Sequence, residues 1–319
     1  MLTVSCDLSR LNVERPTGAS TYASYVLERL AESGEVRVVG RDQLRQSEAI
    51  LNLDGHFRPG RGQPVVSAVL DLGHLFARRA YGPLEWTLQN WRVASAARRS
   101  DHLLVPSSPV RSALQRYLGI KPEKVTVLEP LPAQGFHRTG RKEVEHLRNR
   151  LGLPKRYFLF VGVRSRRKNL SLLAAAREQA AERLGEVGLV LAGPGRLSLP
   201  GSLDLGYVPG ADLPALLSGA LAWLNPSHYE GSAIGAMEAM ACGVPAVVAA
   251  TGAQAHTVGL NGMVLPPGDA PEWARAMVAV ATDVGLRGRM AAAGLRRMAE
   301  LRATVPPMNP LVQALAGRA

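Results

Sequence analysis

The chain has 319 residues, 46% of them hydrophobic, and carries 38 Lys and Arg against 26 Asp and Glu, a net charge of +12. That length suits two domains of ~150 residues, each with a core of its own. No apolar run approaches the ~18 residues of a membrane span, no basic-then-apolar signal opens the sequence, and Cys6 and Cys242 sit in apolar elements, so a cytoplasmic protein with buried thiols and no disulfide is expected.

The charge is unevenly placed. Residues 1–135 hold 17 basic against 13 acidic side chains, residues 136–168 hold 11 against 2, and residues 169–319 hold 10 against 11. The surplus in the middle segment attracts polyanions. Neither a DNA- or RNA-binding motif nor basic–aromatic interleaving accompanies it. Nucleic acid therefore ranks behind a diphosphate-binding cleft beside an anionic membrane.

In chain order, Leu2 to Leu8 reads as a strand, Arg15-Pro16-Thr17-Gly18 as a turn, and Ser20 to Ser33 as a helix with Tyr22, Val26, Leu27 and Leu30 at helical spacing. Val36 to Val39, Ala49 to Leu53 and Pro64 to Leu70 read as strands, the last followed by Asp71-Leu72-Gly73-His74. Gly82 to Arg99 reads as a helix whose apolar positions, Trp86 and Trp91 included, are expected in the core. A strand, Asp101 to Pro106, a helix, Ser107 to Leu118, and a strand, Val125 to Leu128, follow. Gly, Arg and Glu content up to Gly152 then suits an exposed linker.

A second series opens with a strand, Tyr157 to Val161. A glycine, the cations Arg164, Arg166, Arg167 and Lys168, and a Leu/Ala helix come after it. Amides and cationic side chains can converge there on a phosphate. Gly188 to Ala192 is a strand leading to Gly193-Pro194-Gly195, Leu205 to Pro209 another, and Ala211 to Leu217 a helix.

The stretch from Ala220 to Ala250 is one strand–helix–strand unit. Leu221 to Leu224 is a short apolar run, and Asn225-Pro226-Ser227 breaks it. Gly231-Ser232 opens a helix from about Ala233 to Cys242, with Ser232 as cap, Gly243 at the C-terminal cap and Pro245 forbidding continuation. Glu230 stands in the loop and Glu238 in the helix, with seven residues between them. Loops beyond strand carboxyl ends bind ligands in open α/β sheets. The amides of Ser232, Ala233, Ile234 and Gly235 suit a phosphate, and a carboxylate at Glu238 suits a ribose diol.

The string YEGSAIGAMEAMACGVPAVV closely resembles the Glu-x(7)-Glu signature of family 4 retaining glycosyltransferases. Other stretches resemble that family too. Gly18-Ala19-Ser20-Thr21-Tyr22 is similar to its glycine-rich loop near the donor phosphates, with Gly18 as the close approach. VVSAVLDLGHLF is similar to its V-x-x-x-HDL segment, with Leu70 in the histidine's place and Asp71 in the aspartate's, while His74 could serve from the loop. Gly162 to Asn169 resembles G-x-x-x-x-RKN, which puts Lys168 on the diphosphate. Val163 replaces a common arginine, leaving Arg164 as the substitute. Ala255-His256 stands where members often have PE.

The resemblance implies an α/β chain of the GT-B fold, two doubly wound Rossmann-like domains facing a cleft. The expected division is an abbreviated acceptor-side domain 1–135, a basic linker 136–153, a nucleotide-sugar domain 154–302, and a tail 303–319 packing on the first domain. It implies transfer of a hexose such as mannose or glucose from a UDP- or GDP-sugar to a hydroxyl of a glycan or lipid-linked acceptor, with retention. Lys168 and the Ser232 to Gly235 amides would hold the leaving diphosphate, Glu238 the ribose and Glu230 the sugar hydroxyls, with Asp71 and His74 beside the reacting centre. Gly193, Tyr207 and Val208 would surround the nucleobase. No carboxylate pair has metal-binding spacing, so neither a metal nor a further cofactor is expected. The basic segment would touch an anionic inner membrane face. The competing expectation is a degenerate GT-B protein that binds a nucleotide sugar or a partner enzyme without turnover.

Overall fold

The computed structural model describes residues 1–7, 9, 17–195 and 197–317. Leu8, the expected end of the first strand, and the Arg15-Pro16 half of the turn before Gly18 lie outside the described residues. The chain forms two units, Met1–Pro130 with Val305–Ala319, and Leu131–Thr304.

In the first unit the strands are β1 (Leu2–Cys6), β2 (Val36–Val39), β3 (Ala49–Asn52), β4 (Val65–Ala68), β5 (His102–Val105) and β6 (Val125–Val127). They form a wholly parallel sheet in the order β2-β1-β3-β4-β5-β6. In the second unit β7 (Tyr157–Val161), β8 (Gly188–Ala192), β9 (Ser202–Gly206), β10 (Ala222–Asn225), β11 (Ala246–Ala249) and β12 (Met263–Leu265) form another, in the order β12-β11-β10-β7-β8-β9. Strands such as AILN and AVVA are buried at every position. Helices cover both faces of a parallel sheet, which is why these strands read as apolar runs rather than alternations. Each sheet is therefore doubly wound.

Two apolar clusters fill the two faces of the second sheet. One gathers Phe158, Phe160, Leu173 and Trp273, and the other Tyr157, Leu159, Trp223 and Met237, all at most 2% exposed. The first unit's core joins Tyr22, Leu30 and Leu51 to Leu311 and Leu315 of the helix Asn309–Leu315, which packs against β3 and β4.

Two expectations fail here. The stretch expected as a linker holds the helix Arg141–Leu151, inside the second unit, with Leu147 buried and Gly152 (φ +64°) as its left-handed C-cap. Several cations of the basic segment are paired: Arg141 with Glu145, Arg150 with Asp212, Arg164 with Asp204, and both Arg167 and Lys168 with Glu230. Much of its surplus charge thus serves internal contacts. The helix Pro83–Arg99 departs further from expectation. Only Ala96 and Ala97 of it are buried, and Trp91 is 65% exposed. Its apolar stripe faces outward, because its Ala-rich last turns alone meet the unit's core.

Candidate active site

The second sheet reverses direction between β7 and β10. The chain lays down β7, β8 and β9 outward, then returns to pair β10 on the other side of β7, with Ala222 opposite Phe158 and Trp223 opposite Leu159. At such a switch point the loops leaving the two neighbouring strands part and open a crevice at the carboxyl ends. The loop after β7 carries Arg167 and Lys168, and the loop after β10 carries Glu230.

These three side chains meet. Glu230 Oε1 accepts from Lys168 Nζ at 2.5 Å and from Asn225 Nδ2 at 3.4 Å, while Oε2 accepts from Arg167 Nη1 at 3.2 Å. Burial alone would raise the Glu230 carboxyl, but the charges of Lys168 and Arg167 outweigh it and hold the group at about 2. It is a fixed carboxylate at any physiological pH. Arg167 also donates to the Tyr229 carbonyl, so one guanidinium sets both the backbone and the side chain of the Glu230 loop.

Two backbone features hold this loop. Asn169 adopts a left-handed conformation (φ +52°) and donates from Nδ2 to the carbonyls of Pro226, 3.2 Å, and Pro267, 2.8 Å. It thereby ties together the loops following β7, β10 and β12. Gly252 (φ +53°) lies so close that a Cβ there would stand 2.2 Å from the Glu230 carbonyl oxygen, and the neighbouring Ala253 N–H donates to that oxygen at 2.9 Å.

The helix beside Glu230 runs Ile234–Ala241, with Ala233 at its N-cap and no side-chain cap. Ser232 therefore does not cap it, contrary to expectation. The first-turn amides have no intrahelical acceptor and no competing side chain, which keeps them available to an anion. Gly243 (φ +64°) ends the helix in the left-handed region. Glu238 lies one turn in, half-buried, with no ion-pair partner among the described residues. Burial pushes its carboxyl up to about 8, so at neutral pH it carries a proton and can donate as well as accept. Two carboxyls eight positions apart thus have opposite protonation states, and the cause is the cation pair beside only one of them.

Arg164 has a different role from the one expected. It is buried, and its guanidinium donates to the carbonyls of Gly193 (3.2 Å), Leu197 (2.8 Å) and Gly195 and to the Asp204 carboxylate. It organises the loop after β8, where four of its five N–H donors are engaged. Gly193 (φ +125°) has no room for a side chain, since a Cβ would stand 2.1 Å from the Gly162 carbonyl oxygen. Tyr207 and Val208 follow β9, one strand position beyond, with Val208 buried.

Gly18, Asp71 and His74 belong to the first unit. Gly18 is the first residue of the helix Gly18–Ser33, whose N-terminus is closed by a reciprocal cap between Thr17 and Ser20. A Cβ at Gly18 would meet nothing within 4 Å. Asp71 Oδ1 accepts from the Gly73 amide at 2.9 Å. His74 is buried in the short helix Gly73–Phe76, and burial, opposed by Asp71, keeps its imidazole below the usual range.

Asn169, Asn225 and Gly252 were not singled out from the sequence, and Arg167 was named only within a group of cations. Arg167 and Asn169 flank Lys168 and could have been found by proximity. The Asn225 and Gly252 contacts join segments brought together only by the sheet. The first unit's switch point, between β1 and β3, also holds residues that spacing did not reveal: Arg58 Nε is 3.1 Å from Asp7, and its two terminal nitrogens bind Asp54 at 2.8 and 2.7 Å.

Residues 155–283 match the family model described as glycosyl transferases group 1. The D-inositol 3-phosphate glycosyltransferase of Salinispora arenicola is 34% identical over 211 residues, 56% of this chain and 46% of that protein. The chain thus spans about half the length of this curated relative. Among solved structures, sucrose-phosphate synthase from Thermosynechococcus elongatus superposes with a TM-score of 0.79 at 18% identity, covering 100% of both chains. HepE of Anabaena in complex with UDP-glucose gives 0.72 at 16% identity, covering 99% of this chain and 98% of that one. Over residues 155–283 the second unit is thus similar to the group 1 glycosyl transferases, and the chain carries the GT-B fold of the solved structures it superposes on.

Proposed function

We propose that the chain transfers a hexose from a nucleoside diphosphate sugar to an acceptor hydroxyl, with retention at the anomeric carbon. One observation carries this reading: a permanently ionised Glu230, gripped by Lys168 and Arg167, stands beside an uncapped helix N-terminus at the second sheet's switch point. Cleaving the donor's anomeric bond leaves charge on the diphosphate. Fixed donors stabilise that charge without reorganising. In this reading Lys168 and the amides of residues 232–235 take the diphosphate, Glu238 the ribose diol, and Glu230 orients sugar hydroxyls.

Lys168, Arg167 and the amides supply positive charge, so we propose turnover without a metal or cofactor, unchanged by a chelator. HepE is solved with UDP-glucose, which makes UDP-sugars the first donors to try. The acceptor is proposed to be a glycan or a lipid-linked sugar. Release of nucleoside diphosphate from a panel of UDP- and GDP-sugars, with Glu230→Ala as control, tests the reading. Nucleotide binding without release would favour the second reading, a binder without turnover, which Leu70 at the family histidine's position and the burial of His74 support.

A further inference from the structure

The helix Pro83–Arg99 carries an apolar stripe that its own unit leaves uncovered. Leu84, Leu88 and Trp91 recur at i, i+4 and i+7, which sets them on one narrow arc of a helix, and they are 73%, 43% and 65% exposed. Large apolar side chains scattered singly on a surface are ordinary, whereas a contiguous row marks a contact. An exposed aromatic pair stands on the neighbouring helices. Phe76 and Tyr117, both exposed, meet edge to face at 5.3 Å, and the helices that bear them pack against Pro83–Arg99.

The chemistry around the stripe selects the occupant. Residues 76–117 contain seven arginines, no lysine, and two acids, Glu85 and Asp101. Asp101 is engaged by the Val65 amide at 2.7 Å. At 100° per residue Arg98 continues the arc of Trp91 and Arg92 borders it, so guanidinium groups edge the apolar row. Leu and Trp with flanking Arg match the boundary of a lipid leaflet, where indole and alkyl groups enter below the headgroups and guanidinium meets phosphate. A second copy fits poorly, because a two-fold contact would set this arginine edge near itself.

We propose that this face docks the chain on an anionic lipid bilayer, with the helix lying in the membrane plane. The surface is distinct from the basic segment 136–168, and the argument does not depend on the proposed activity. The test is co-sedimentation of the purified full chain with vesicles of phosphatidylcholine alone or mixed with phosphatidylglycerol. Binding is expected only to the mixed vesicles and should weaken as salt rises. Leu84→Ser/Trp91→Ser should lower the partition coefficient at least ~20-fold, and Arg92→Glu/Arg98→Glu at least ~10-fold. Unchanged thermal midpoints would show that both variants fold. Arg141→Glu/Lys142→Glu, on the helix Arg141–Leu151, should bind as the parent does. Failure to sediment with the mixed vesicles, parental binding by the serine variant, or a dimer in solution that the serine variant splits would each overturn the proposal.

Discussion

Lys168 Nζ and Glu230 Oε1 stand 2.5 Å apart across the gap between β7 and β10, with their side chains only 14% and 12% exposed. Truncating one partner of a buried pair leaves the other charge uncompensated, so each single change should be costly. Lys168→Ala is expected to lower kcat/KM for the donor about 100-fold or more, through loss of a cation at the leaving diphosphate. Glu230→Ala should do comparable damage. Because the two act as a unit, the double variant should lose much less than the product of the single losses. Initial rates for the four proteins close the cycle, and independent losses would show that the pair does not work as one.

Glu230 and Glu238 should respond to pH in opposite senses. The folded-state value of Glu230 is lowered to about 2, so its contribution to stability is fully present above the unfolded value near 4.5 and is lost as pH falls from there toward 2. Glu238 is raised to about 8, so folding holds a proton that the unfolded chain releases, and stability declines as pH rises from about 4.5 through 8. Glu238→Gln should therefore melt higher than the parent at pH 8 and equally near pH 4.5. A gain of about 2 kcal/mol is expected, below the full linkage value because the carboxyl is only half-buried. Glu230→Gln should melt lower than the parent at pH 7, with the gap narrowing below pH 4.5. Thermal melts across this range read both signs.

The two parallel sheets were legible because strands buried on both faces are apolar throughout, and Gly243 and Pro245 punctuated the central helix. The sequence also pointed to Glu230, Lys168 and Glu238, whose types and spacing carry their chemistry. Direction of burial was not legible. Leu84, Leu88 and Trp91 form the same stripe whether they face a core or water, and only the fold decides. The helix Arg141–Leu151 was not legible because its apolar face is narrow, Val144, Leu147 and Leu151 with only Leu147 buried, and charged residues such as Arg141 and Glu145 dominate the stretch. Arg164 read as a phosphate ligand because its partners lie 29 to 40 residues away, in the loop after β8 and in β9.

Arg164 should behave as a structural residue. Removing its side chain exposes three carbonyls and the Asp204 carboxylate to loss of their donor, so Arg164→Met is expected to destabilise the chain by about 3 kcal/mol. Asp204→Asn leaves the three carbonyl bonds in place and should cost about 1 kcal/mol. Denaturant unfolding of both variants checks the order. A stable Arg164→Met protein that has lost only nucleotide affinity would return Arg164 to the donor site.

Asn169 offers a test of backbone and side chain together. Its left-handed conformation costs a non-glycine residue about 1 kcal/mol, which the two carbonyl bonds offset. Asn169→Gly relieves the backbone and loses the bonds, whereas Asn169→Ala keeps the strain and loses them too. The alanine variant should therefore be the less stable by about 1 kcal/mol, and both should turn over slowly because the loops after β10 and β12 lose their tie. Equal stability of the two would show that backbone strain at this position is negligible.

Gly252 tests whether the position of the Glu230 loop, and not merely its presence, sets the rate. An alanine there faces two obstacles. Its φ of +53° suits glycine and costs alanine about 1 kcal/mol, and its Cβ would lie 2.2 Å from the Glu230 carbonyl oxygen, far inside contact distance. The backbone must part by about 1 Å, and displacement on that scale at a reacting centre costs roughly 100-fold. Gly185 is the control, because its φ of +54° is nearly the same and a Cβ there meets nothing within 4 Å. Gly185→Ala, at a ψ of −124° outside the left-handed region, should lose about 1–3 kcal/mol of stability and keep parental kinetics. Gly252→Ala should lose at least as much stability and about 100-fold in kcat/KM. Both variants carry a positive-φ penalty, so a rate lost only in Gly252→Ala points to the contact with Glu230. Matching kinetics would mean that the loop tolerates the shift.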